Sequence, residues 1–413
     1  MRKELFLEAL KASLKNEQVS WEREIPSDEW EQLFRMAKQH HILPMIYEAV
    51  YCCPAAGKAD PGIFEPYKRS TVQSVMLQTI KTSEFLGLYH SLSESGLKPL
   101  VIKGILCREL YPNPDYRMSS DEDLLIMPEK FAEFHEAMKR YGMRVLNQEM
   151  NIWEEHEVPY GKPGSPIYIE LHKYLFPPDS DAYGELNDFF DGIFQRAESV
   201  SIQDCDILTM NVTDHLFYLI CHAFKHFLHS GFGIRQVCDI ILFANAYGNQ
   251  VDWNSILKRC RTIHADLFTA ALFQIGEKYL TFDPDQACYP EEWRKISVDE
   301  EDMLCDLLDG GIYGDSNMSR KHSSTITLNA VTADKKGKRT GISILKSVFP
   351  SAKNLEGRYG YLKNHSYLLP IAWVDRILHY RTELKKSTDN RAADAVRIGS
   401  NRVALMKKYG IIK

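Results

Sequence analysis

At Gly96 the hydrophobic pattern of this chain changes period, and that change bounds what it can fold into. Upstream, apolar residues recur at helical spacing: Leu5, Phe6, Leu10 and Leu14, then Trp30, Leu33, Phe34 and Ala37 behind an expected Ser27 N-cap. After a break at 51–62, a helical stretch runs from about 65 to 95. Downstream of Gly96 the runs are short and β-like. PLVIKG reads as a strand ending on a glycine, ILCRELY as a short helix, PNPDYRMSS as a loop and DEDLLIM as a second strand. Pro128 opens a helix that closes at Gly142. MRVLN, WEEHEVPY and IYIELHKYLF supply three more strands. After PPDSD the pattern turns helical again, with DHLFYLICHAFKHFLHSG, GIRQVCDIILFANAYG and WNSILKRCRTIHADLFTAALFQIGEKYL as three successive helices.

The expected fold class is therefore α+β. A small mixed β-sheet core at 97–178 is framed by an N-terminal helical region at 1–96 and a helical subdomain at 179–300. A mostly helical extension follows at 301–413. Within it the polar, basic stretch 317–341, with Arg320-Lys321-His322 and Lys335-Lys336-Gly337-Lys338-Arg339, reads as a mobile loop or hairpin. A length of 413 residues suits two or three such units.

Nine cysteines are scattered and form no C-x-x-C pair, which fits reduced thiols better than disulfides or a zinc knuckle. The first residues lack the apolar region of a signal peptide, and no run is long enough to span a bilayer. A cytoplasmic location is expected, without a membrane partner. A net charge of -6 gives no reason to expect nucleic acid as a partner.

The chemistry concentrates at Asp121-Glu122-Asp123, which runs straight into Leu124-Leu125-Ile126. Side chains alternate faces along a strand, so Asp121 and Asp123 point one way and Glu122 the other. Two carboxylates so placed suit a hard cation such as Mg²⁺, or Mn²⁺. A third acid comes from YIELHKY: Ile167, Ile169 and Leu171 form one apolar face, and Tyr168, Glu170 and His172 the other. Glu170 is then a further metal ligand or a general base.

These pieces in this order resemble the nucleotidyltransferase superfamily of the DNA polymerase beta type, which includes aminoglycoside nucleotidyltransferases and poly(A) polymerases. Within it the chain is most similar to a bacterial family of nucleotidyltransferases of mostly unknown substrate. Lys103-Gly104, Arg117 and Glu170-Leu171-His172 carry that likeness, and HAFKH, IRQVCD and the later FP…RYGYL…LLPIAW extend it over roughly 20–380. Glu122 departs from the family pattern, which places an apolar residue there. The resemblance implies transfer of a nucleoside monophosphate from an NTP such as ATP to an unidentified acceptor, a small molecule, peptide or protein. Asp121, Asp123 and Glu170 would be catalytic and metal-binding. Lys103, Gly104, Arg117, Ser120, Lys225 and His226 would border the nucleotide. Gly104 would let the backbone and the following helix N-terminus approach a phosphate, and Arg117 would grip phosphate oxygens.

Two rivals stand beside this reading. One is a module with the same fold that binds nucleotide without turnover. The other is a zinc-dependent hydrolase built on His222, His226 and His229, although Ala223 stands where a zincin carries its glutamate.

Overall fold

The structure is a computed structural model that describes residues 2–311, 318–337, 355, 359, 361–362, 365–375 and 392–413. Its centre is a seven-stranded mixed sheet of order β3-β4-β5-β2-β1-β7-β6. The strands are β1 (Leu100–Val101), β2 (Glu122–Leu125), β3 (Arg144–Val145), β4 (Glu157–Gly161), β5 (Tyr168–His172), β6 (Glu198–Ile202) and β7 (Cys205–Thr209). The α+β class is as expected, but the sheet does not stop at residue 178. β7 pairs with β1 in parallel and β6 closes that edge, so 198–209 belongs to the same sheet. Their tight turn places Gln203 and Asp204 at positive φ.

Helices cover both faces of the sheet. Val101, Leu124, Val158, Tyr160, Ile169 and Leu171 pack under α4 (Pro61–Glu94) and α6 (Phe131–Arg140), through residues such as Phe85, Leu88, Phe134 and Met138. α4 starts where the Asp60 carboxylate accepts from Gly62 N at 2.9 Å. On the other face Leu100, Ile102 and Leu125 join one large core. That core takes in α1 (Arg2–Leu14), α2 (Ser27–Gln39), α3 (Leu43–Val50), α7 (Val212–Leu228), α8 (Ile234–Tyr247), α9 (Trp253–Thr262), α10 (Asp266–Tyr279) and α12 (Glu300–Gly310). α5 (Ile105–Arg108) follows β1, and α11 (Glu291–Arg294) lies between α10 and α12. Strand alternation thus gives the sheet a face toward α4 and a face toward α7.

Some local expectations are corrected. α2 begins at Ser27 itself, with Pro26 in the cap position. The third expected helix after 210 is two, α9 and α10, broken where His264 takes φ 54°. The basic stretch is not a loop over its first part: α13 (Met318–Lys335) is a helix packed on α14 (Ala392–Lys408). Its buried Ser323 and Thr327 bond to carbonyls one turn back. Arg320 is buried against Asp306 at 2.7 Å. Lys338 and Arg339 lie outside the described residues. No described helix is long and apolar enough to cross a membrane, and all nine cysteines are free thiols.

Candidate active site

The face of the sheet toward α7 opens into a cleft of about 380 Å³. One wall is acidic. β2 and β5 run parallel with Asp123 directly beside Glu170, so two carboxylates on neighbouring strands project the same way. β4 adds Glu157, which pairs in register with His172. Asp121, just ahead of β2, lines the same cleft with Ser120 and Tyr168. The opposite wall comes from α7, where Tyr218, His222, Lys225 and His226 succeed one another at helical spacing. Lys103, at the end of β1, lies between the walls.

The charges interlock. Lys103 Nζ is 3.1 Å from Asp123 Oδ2, and His172 Nε2 is 3.2 Å from Asp123 Oδ1 and 3.6 Å from Glu170 Oε2. Burial penalises the Asp123 carboxylate, yet Lys103 and His172 outweigh it and hold its pKa well below the usual range. Burial opposes the His172 charge too, but Asp123, Glu170 and Glu157 raise its pKa to about 10. Glu170 goes the other way, raised by burial and by Asp123, Asp121 and Glu157, with His172 partly offsetting them. Glu157 is desolvated, but His156, His172 and Lys225 bring it down to about 2.

On α7, His222 Nε2 lies 3.3 Å from both Lys103 Nζ and His226 Nε2. A nitrogen that accepts from an ammonium carries no proton, so His222 Nε2 is the acceptor toward Lys103. Burial and nearby positive charge hold both imidazoles neutral.

Of the residues singled out in the sequence, Lys103, Ser120, Asp121, Asp123, Glu170, Lys225 and His226 meet in this cleft. Gly104 and Arg117 do not line it, because each is committed elsewhere. Gly104 has φ +58°, and a β-carbon there would fall 1.9 Å from Glu122 Oε2. The anion at the start of α5 is thus the protein's own: Ile105 N donates to Glu122 Oε2 at 2.7 Å, and Arg108 pairs with the same carboxylate beneath α4. Arg117 is fully buried and donates through Nε and Nη2 to both oxygens of Asp239, at 2.9 and 2.6 Å. Arg235, one helical turn before Asp239 on α8, donates instead to Met118 O.

Among the described residues, the grouping able to hold a metal is Asp123, Glu170 and His172, whose ligand atoms lie within 4.8 Å of one another. Asp121 stands on the same wall outside that group. His222, His226 and His229 form no such group, and the Lys103 ammonium faces the His222 nitrogen that a zinc ion would need. Sequence reading missed Glu157, Tyr218 and the ligand capacity of His172. Alternation already placed His172 on the Glu170 face, and Glu157 is an acid beside the apolar Val158 and Tyr160.

A family described as an uncharacterised nucleotidyltransferase matches residues 26–281, more than half of the chain. The chain belongs to that family. No curated protein and no solved structure matches it. The matched span of this nucleotidyltransferase family runs from α2 to just past α10. It therefore contains the whole sheet and both walls of the cleft.

Proposed function

We propose that the chain transfers a nucleoside monophosphate from an NTP to an acceptor and releases pyrophosphate, with the acidic wall as the metal-dependent centre. One observation carries this reading: Asp123 and Glu170 stand side by side on parallel strands, in a cleft that also holds Lys103 and Lys225, in a member of a nucleotidyltransferase family.

The donor set fits a divalent cation. The ligand atoms of Asp123, Glu170 and His172 lie within 4.8 Å of one another, and two carboxylates with an imidazole that gives up its proton suit Mn²⁺. With Asp121, three carboxylates on one wall suit Mg²⁺. A bound ion would neutralise phosphate charge and polarise the phosphoryl oxygens. The protein's own residues do the rest. Lys103 and Lys225 place positive charge across from the acids, where phosphate oxygens would sit. Glu170, with its raised pKa, is suited to take the proton of an attacking hydroxyl. Catalysis of this kind is mostly positioning and charge stabilisation.

Calorimetry should detect NTP binding that requires Mg²⁺ or Mn²⁺, and pyrophosphate release should follow with a suitable acceptor. Asp123→Asn should abolish that release, and an unchanged rate would overturn the assignment. Binding without turnover is the second reading, favoured by Lys103 and protonated His172 already neutralising Asp123. It predicts NTP binding that is indifferent to divalent cations.

A further inference from the structure

Behind the cleft, on the far side of Lys103 and His222, lies a second and much smaller chamber. Its space is about 10 Å³, room for a single small occupant. Arg117, Arg235, Gln236 and Asp239 complete its lining. Three of these present buried polar atoms without a partner: Nη1 of Arg117, Nε of Arg235 and Oε1 of Gln236. All three side chains are more than nine-tenths buried.

A group lodged here lies among two guanidinium groups, each of which keeps an N–H without a partner. The charge is one-sided as well. Lys103 is paired with Asp123, and Arg117 with Asp239, which also accepts from the Tyr111 hydroxyl; Arg235, bonded to Met118 O, is the cation of this lining with no carboxylate paired to it among the described residues. The neutral state of buried His222 fits the same positive surroundings. A water would satisfy the donors and leave the charge. A monovalent anion would satisfy both, and in a poorly screened interior the difference is large. The Gln236 amide can turn its NH₂ toward such an ion.

We propose that this chamber is a binding site for one halide-sized anion, chloride under ordinary conditions, held by Arg117, Arg235 and Gln236. It does not depend on the transfer chemistry proposed above. It gives Lys103 a counter-charge on each side, Asp123 in the cleft and the anion behind.

Crystals soaked in sodium bromide test this through anomalous scattering. A bromide peak in contact with Arg117 Nη1 and Arg235 Nε is expected. A water at that position with no anomalous signal overturns the proposal. In solution, bromide and chloride should raise the melting temperature saturably over sodium gluconate at equal ionic strength, and equal melting in the three salts counts against the site. Arg235→Met should remove both the peak and the halide dependence. A peak that persists in that variant overturns the assigned donors.

Discussion

The Glu122 carboxylate stands where a β-carbon on residue 104 would be, 1.9 Å from Oε2. The glycine that ends β1 and the acid that opens β2 therefore constrain each other. Glu122 caps Ile105 and neutralises Arg108 in a space that exists only because residue 104 has no side chain. Gly104→Ala should destabilise the protein through the positive φ and, more, through displacement of the buried carboxylate. Arg108→Ala should cost about 3–5 kcal/mol, since it strands a buried charge. In a double-mutant cycle by urea denaturation, Gly104→Ala and Glu122→Ala should be strongly non-additive. Additive losses would show that the two sites do not share this space.

Asp239 ties the loop before β2 to α8. Asp239→Asn leaves the Arg117 guanidinium buried beside a neutral partner and should cost about 3–5 kcal/mol in denaturant midpoints. Tyr111→Phe removes one hydrogen bond to the same carboxylate, 2.7 Å long, and should cost about 1 kcal/mol. The inequality between the two is the check.

Two buried histidines remote from the cleft contribute to an acid limit on stability. His40 and His215 are held down to about 4 by burial, with Nε2 of each against a carbonyl, Leu308 O and Ile102 O. The unfolded chain takes up these protons near pH 6.5 and the folded chain only near 4. Stability should fall as pH drops through that window, by up to about 3 kcal/mol per histidine, and these two groups should add no further loss below it. Unfolding free energies measured from pH 7 to 4 should show the slope. His215→Gln should be less stable at neutral pH but flatter in that profile.

Arg402 on α14 holds the end of α7. It donates to the carbonyls of Phe227 and His229, and its Nε lies 3.4 Å from Asp306 Oδ2. Arg402→Gln should speed amide exchange in residues 225–231, at the edge of the cleft. Unchanged protection there would remove Arg402 from the account of the site.

Much of the sheet and the acidic wall is legible in the chain, because period-two alternation is local. It separates Asp123 from Glu122, and Glu170 with His172 from Leu171, before any tertiary contact is known. What it does not carry is register: that Asp123 lies beside Glu170 depends on the pairing of β2 with β5. The partners of Arg117 and Glu122 are equally hidden. Asp239 is 122 residues from Arg117, and the local candidate, an Arg235–Asp239 pair within α8, is plausible and absent. β6 escapes notice because ESVSI is largely exposed and polar, and because its turn uses Gln-Asp where Asn-Gly is the strong hairpin signal. α13 is misread for a related reason. Its Ser and Thr residues are buried, but they satisfy themselves on helix carbonyls, a use that composition alone does not reveal.

The reach of Arg402 back to Phe227, 175 residues earlier, also orders events during synthesis. Every side chain lining the cleft, from Lys103 to His226, emerges from the ribosome well before α14 does. A chain stopped short of residue 392 would hold every residue of that lining and lack the bonds by which Arg402 fastens the end of α7.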